Sequence, residues 1–146
     1  MDIKFSTQDE EIIEKIEQKW SSDAGFSITL ISSISSWENL INECRDGYDD
    51  VVEEFTNDLA SRDMIQQILD VLSKDGVREL NKFIESLDSM FLDSTIKVNK
   101  SIMKYEWIIP DKHFWYFRVP KRIKEDELAA FESQLGEDLS GKVEIF

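Results

Sequence analysis

Eight carboxylates stand between Trp37 and Asp58, namely Glu38, Glu43, Asp46, Asp49, Asp50, Glu53, Glu54 and Asp58, opposed by Arg45 alone: a net charge of −7 over 22 residues. Side chains of this type at this density can hold a divalent cation, share a proton as general acid and base, or receive Lys and Arg side chains from a partner. The segment Asp46-Gly47-Tyr48-Asp49-Asp50 lacks the alternating oxygen ligands and the twelfth-position Glu of an EF-hand loop, which argues against the first. Nucleophilic catalysis has little to work with. His113 is the single His and falls in a predicted turn, while Cys44, the single Cys, keeps step with apolar neighbours, where a thiol is inert core. There is no glycine-rich phosphate loop, no paired Cys or His at metal spacing and no Gly-x-Ser-x-Gly. The expectation is a protein with no catalytic residues, no cofactor and no metal, whose acidic run is either a solvated helix face or a docking surface.

A second constellation is aromatic and basic: Tyr105, Trp107, Phe114, Trp115, Tyr116 and Phe117, followed by Arg118, Lys121, Arg122 and Lys124. Residues 97–124 carry 8 basic and 2 acidic side chains. Such interleaving can bind single-stranded nucleic acid, but the field of the whole chain opposes it. The plainer reading is that the aromatics are core and the basic edge pairs with acidic helices of the same chain. Rings on both faces of a strand over 114–117 cannot all be buried by a one-sided sheet, so some of Trp107, Trp115 and Tyr116 are candidate apolar anchors for a partner.

The elements that must position these residues follow from periodicity. Thr7 and Glu10 have capping-box spacing ahead of Ile12, Ile13, Ile16 and Trp20, which predicts a first helix. Alternation over Phe26–Ile31 predicts a short strand. Ser35 and Glu38 form a second capping-box pattern. Apolar steps of three and four then run from Trp37 through Leu40, Ile41, Cys44, Tyr48, Val51, Val52, Phe55 and Leu59, in phase across Gly47, so one bent helix or two coaxial helices fit. This phase places Asp46, Asp49, Asp50, Glu53 and Glu54 on or beside the solvent face. A further helix over Met64–Leu72 is predicted to end near Asp75-Gly76, with another from Val77 to Phe91. Period-two patterning about Pro110-Asp111-Lys112-His113 predicts a β-hairpin over 102–119; a short helix at Leu128–Leu135, stopped by Gly136, and a strand at Val143–Phe146 complete the chain. The predicted fold class is α+β: one domain, 1–146, with a helical middle packed on a small, mostly antiparallel sheet.

Charge bounds the partners. The chain has 146 residues and a formal charge of −14; residues 1–94 hold 22 Asp and Glu against 8 Lys and Arg, whereas 95–146 hold 9 of each. Such a field speeds encounter with a cationic partner by roughly 10- to 1,000-fold and repels nucleic acid and anionic membrane. The lone Cys44, the absence of a basic and apolar leader in MDIKFSTQDE, and the lack of any apolar run near the ~20 residues of a membrane span predict a cytoplasmic protein without direct nucleic-acid or membrane contact. Oligomeric state is not encoded in these patterns.

A small, single-domain, Cys-poor, strongly acidic α+β chain with the Asp46–Glu54 helix face resembles, as a class, the immunity proteins that neutralise bacterial nuclease toxins, both bacteriocins and contact-dependent growth-inhibition effectors. Those proteins share no single fold, and the likeness carries no site residue with it. What it implies is non-enzymatic, tight binding to a basic toxin domain, with carboxylates occupying the cleft that otherwise holds substrate phosphates. On this reading the partner-binding residues are Asp46, Asp49, Asp50, Glu53 and Glu54, for steering and ion pairing, with Trp107, Trp115 and Tyr116 as anchors. A regulatory adaptor or nucleic-acid mimic is the alternative, and a small carboxylate–metal enzyme the third.

Overall fold

The computed structural model describes residues 2–146. Four long helices precede a mixed C-terminal part: α1 (Thr7–Ala24), α2 (Leu30–Asp46), α3 (Val52–Leu69) and α4 (Lys74–Ser94), then β1 (Thr95–Lys97), a 3₁₀ turn (Phe114–Phe117), β2 (Arg118–Pro120), β3 (Arg122–Ile123), a second 3₁₀ turn (Glu125–Glu127), α5 (Leu128–Leu135) and β4 (Glu144–Ile145). The class is α+β. β1 and β2 pair antiparallel with Ile96 opposite Val119, and β3 and β4 pair parallel with Ile123 opposite Ile145. None of the helices is long and apolar enough to cross a membrane among the described residues.

The starts of α1, α2 and α4 are each set by a side chain that accepts an orphan backbone N–H, whereas α3 and α5 begin without one. Ser6, not Thr7, caps α1 by accepting from Asp9 N. The strand expected at 26–31 is instead the entry to α2. Thr29 and Ser32 form the reciprocal capping box there, in place of Ser35 and Glu38. The apolar stripe Leu30, Ile34, Trp37, Leu40, Ile41, Cys44 simply starts about two turns earlier than Trp37, running under the serines that precede it.

Gly47 ends α2 with φ 105°, and a Cβ there would stand 3.0 Å from Arg122 Nη1 and 3.1 Å from the Phe146 ring. The stretch is therefore two helices, and the Gly47–Val51 corner is tied into the sheet. Tyr48 bridges Ile123, its N–H donating to Arg122 O and its carbonyl accepting from Lys124 N. α3 then runs without a break from Val52 to Leu69. It lies between α2, α4, α5 and the Phe114–Phe117 turn, with Phe55, Leu59, Ile65 and Ile68 fully buried. Gly76 does not end a helix. It lies in the first turn of α4, where Ser73 caps by accepting Gly76 N–H.

The predicted hairpin over 102–119 is corrected. An antiparallel pair does close this region, but its strands are Thr95–Lys97 and Arg118–Pro120, and residues 98–117 form an excursion between them. That excursion is held by Val98 N and Ile102 N, which donate to Phe117 O and Tyr116 O at 2.8 Å each. Phe114–Phe117 is helical for a physical reason. Trp115 Nε1 and Tyr116 Oη both donate to the same Asp63 carboxylate, whereas consecutive side chains of a strand point to opposite faces. The predicted C-terminal helix is present as Leu128–Leu135 with Gly136 at φ 75°, and the terminal strand is Glu144–Ile145.

Candidate functional site

The acidic residues gather at the α2–α3 corner. Asp46 is the last residue of α2, Asp49 and Asp50 lie in the corner, and Glu53 and Glu54 occupy the first turn of α3; all five are exposed. Asp50 Oδ1 accepts the Val51 N–H at 2.7 Å, and carboxylates at this helix start are favoured by the unsatisfied N–H groups beneath them. The corner is nevertheless overloaded. Glu43 from α2, exposed, and Asp58 from α3, partly buried, turn to the same place. Desolvation, and after it the charges of Asp50, Asp49 and Glu54, hold Glu43 above its usual range; desolvation, Glu43, Glu54 and Asp50 push Asp58 up to about 6. None of these carboxylates has an ion-pair partner among the described residues. Beneath them the Tyr48 hydroxyl is buried without a hydrogen-bond partner, and its pKa is raised by burial and then by Asp58, Asp50 and Glu43. Cys44 is buried, with its thiol pushed well above the ordinary range by the same causes of burial and nearby carboxylates.

Glu43 and Asp58 thus belong to the site although the helical pattern singled out only their neighbours. Asp46 and Glu53 are exposed at the two ends of the same corner. Across the described residues no three His, Cys, Asp or Glu side chains converge to hold a metal ion.

Comparison with known proteins gives a short result. No family model, curated protein or solved structure matches this chain.

The aromatic constellation divides. Trp115 and Tyr116 are 0% and 1% exposed, so neither can serve as a surface anchor; both are core residues that satisfy Asp63. Asp63 is 9% exposed, and desolvation raises its pKa to about 6 against the lowering effect of these two hydrogen bonds. Its neighbour Arg62 faces the other way, clasping Asp88 through Nε at 2.9 Å and Nη2 at 2.8 Å, while Trp37 Nε1 donates to the same Asp88 at 3.1 Å. A signal for this network existed in the sequence: Arg62 falls in step with Val52, Phe55 and Leu59, a charge where the stripe calls for an apolar residue. Trp107 differs from its neighbours. It is 51% exposed and stacked on Tyr105 with centroids 5.2 Å apart.

Half of the eight basic residues of 97–124, namely Lys100, Lys104, Arg118 and Arg122, are tied to backbone carbonyls rather than to acidic helices. Arg118 donates to Thr95 and to the Leu92 carbonyl, Arg122 to the Asp46 carbonyl, and Lys100 to the Gly136 carbonyl. Lys112 is the one that pairs with an acidic helix side chain, at 2.8 Å from Asp70.

Proposed function

We propose that this chain is a non-enzymatic acidic binding protein that neutralises a basic toxin domain, a nuclease, by covering its active site or nucleic-acid cleft. The observation that carries this reading is the α2–α3 corner, where carboxylates from two helices and their connection gather with no cation of their own among the described residues, and where desolvation, and after it the neighbouring carboxylates, holds Glu43 and Asp58 above the usual range. Bringing a Lys or Arg to that corner removes like-charge repulsion, so binding is favoured beyond ordinary ion pairing, and close charge pairs at such interfaces couple by about 1.5–7 kcal/mol. The crowded carboxylates come from one corner rather than a long row, which suits a single cleft better than mimicry of an extended duplex.

The experiment is capture on the tagged protein at low salt, a high-salt wash, and assay of the retained partner for nuclease activity with and without this chain. Charge reversal of Asp49, Asp50 and Glu54 to Lys is then expected to slow association by 10-fold or more and to flatten its salt dependence, on the order of the steering effect itself. Unchanged association of the reversed protein removes the corner from the mechanism.

A further inference from the structure

Beside the Tyr105–Trp107 stack lies a cavity of about 260 Å³ lined by Asp63, Gln66, Gln67, Asp70, Trp107 and His113. Its size is below the roughly 300–1,000 Å³ of small-molecule sites, so it suits one side chain rather than a nucleotide or cofactor. Its chemistry is one-sided. Asp63, nearly buried, is held only by neutral donors, Trp115 Nε1 at 2.9 Å and Tyr116 Oη, since Arg62 is engaged with Asp88 and donates to Gln66. Asp70 accepts from Gln66 Nε2 at 2.9 Å and from Lys112 at 2.8 Å, the latter a pair in which both side chains are about 40% exposed. Gln67 Oε1 accepts from Trp20. His113 brings no charge: its Nδ1 accepts the Ile109 N–H at 2.9 Å, and desolvation, then Lys112, lowers its pKa. A buried carboxylate without a bonded cation, a second carboxylate at the rim and a half-exposed indole are the elements that recognise organic cations.

We infer that this cavity is a receptor for an arginine side chain of a protein partner, with the guanidinium against Trp107 and its N–H groups directed to Asp70 and Asp63. Guanidinium is favoured over ammonium because it is planar, weakly hydrated and stacks on aromatic rings. Lys112 is the resident competitor. An incoming arginine takes its place at Asp70, releasing an exposed side chain whose surface ion pair holds it only weakly. The partner as source of the arginine rests on the basic-partner reading above; the pocket itself does not.

The test therefore uses a small probe. Nα-acetyl-arginine amide is titrated while the Trp107 indole N–H is followed by NMR, with the citrulline analogue, neutral and of the same shape, as control. The expected result is a saturable shift of Trp107 by about 100 mM, absent with citrulline, weakened at least several-fold in Trp107→Leu and Asp70→Asn and strengthened in Lys112→Ala. These three substitutions are at exposed positions, so folding is retained; Asp63→Asn, which risks the core, is not required. No saturable shift, an equal response to citrulline, or no gain from Lys112→Ala overturns the inference. Much tighter binding of free arginine than of the blocked form also overturns it, in favour of a metabolite. A silent pocket leaves the association test of the acidic corner intact, so the two readings fail separately.

Discussion

Asp9 and Ser73, 64 residues apart in sequence, lock the start of α1 to the start of α4: Asp9 Oδ1 accepts the Ser73 N–H at 3.0 Å and Oδ2 accepts its hydroxyl at 2.6 Å. Ser73 in turn caps α4 through Gly76 N, so one buried carboxylate orients the cap of a helix distant in sequence.

This contact leaves no room at Gly76. A Cβ there would fall 2.5 Å from Asp9 Oδ2. Gly76→Ala is expected to cost about 1–3 kcal/mol, as overpacking does, and Asp9→Ala about 2 kcal/mol from the lost charged hydrogen bonds. The double variant is expected to lose less than the sum, because removing the carboxylate makes the space that alanine needs. Chemical denaturation of the three variants measures the coupling.

Stability is expected to rise and then fall on acidification. Asp58 and Asp63 have folded-state values of about 6, above the ordinary carboxylate, so the native state binds protons first and is stabilised as pH falls from 7 towards 5. Asp9 is held low, chiefly by the Ser73 hydroxyl, and its contribution, present above the ordinary carboxylate range, is lost as pH drops below about 4. Asp58→Asn is expected to raise stability at pH 7 by on the order of 1 kcal/mol after solvent screening, and to shrink the gain between pH 7 and 5. Thermal unfolding across pH 3–8 reads both.

Two ion pairs of similar length are expected to differ sharply in worth. Asp88→Ala strands the Arg62 guanidinium, whose side chain is 5% exposed, and takes an acceptor from Trp37; the expected cost is about 3–5 kcal/mol. Glu79→Ala, which breaks the exposed Lys82 pair, is expected to cost below about 1 kcal/mol. Equal losses in denaturant unfolding would contradict the packing around Arg62.

Of four tryptophans, only Trp107 is open to solvent; Trp20, Trp37 and Trp115 are at most 8% exposed. Acrylamide is therefore expected to quench one component of the emission strongly, and Trp107→Phe to remove that component while leaving the thermal midpoint within a few degrees. Retained quenching in the variant would place another indole at the surface.

What sequence patterning determined is the helical part, because burial of one stripe at steps of three and four is a local property. It located the first helix, the stripe from Trp37 to Leu59 apart from Val51, which is exposed, the last helix with its Gly136 stop, the α+β class and the exposure of Asp46, Asp49, Asp50, Glu53 and Glu54. Where several local solutions compete, it failed. Phe26–Ile31 read as a strand and Ser35 with Glu38 as a cap although Thr29 and Ser32 cap a helix there, and Gly76 read as a helix end although it lies in the first turn of one.

Only tertiary structure decided the rest. Gly47 keeps apolar phase in the sequence, and the break there depends on Arg122 and Phe146 arriving from the other end of the chain. Phe114–Phe117 has strand composition, yet it coils because Asp63 on α3 accepts from two consecutive residues. Glu43 and Asp58 enter the acidic corner, and Trp115 and Tyr116 leave the surface, for the same reason. Charge and exposure depend on which distant elements lie opposite, and a one-dimensional pattern of spacing does not carry that information.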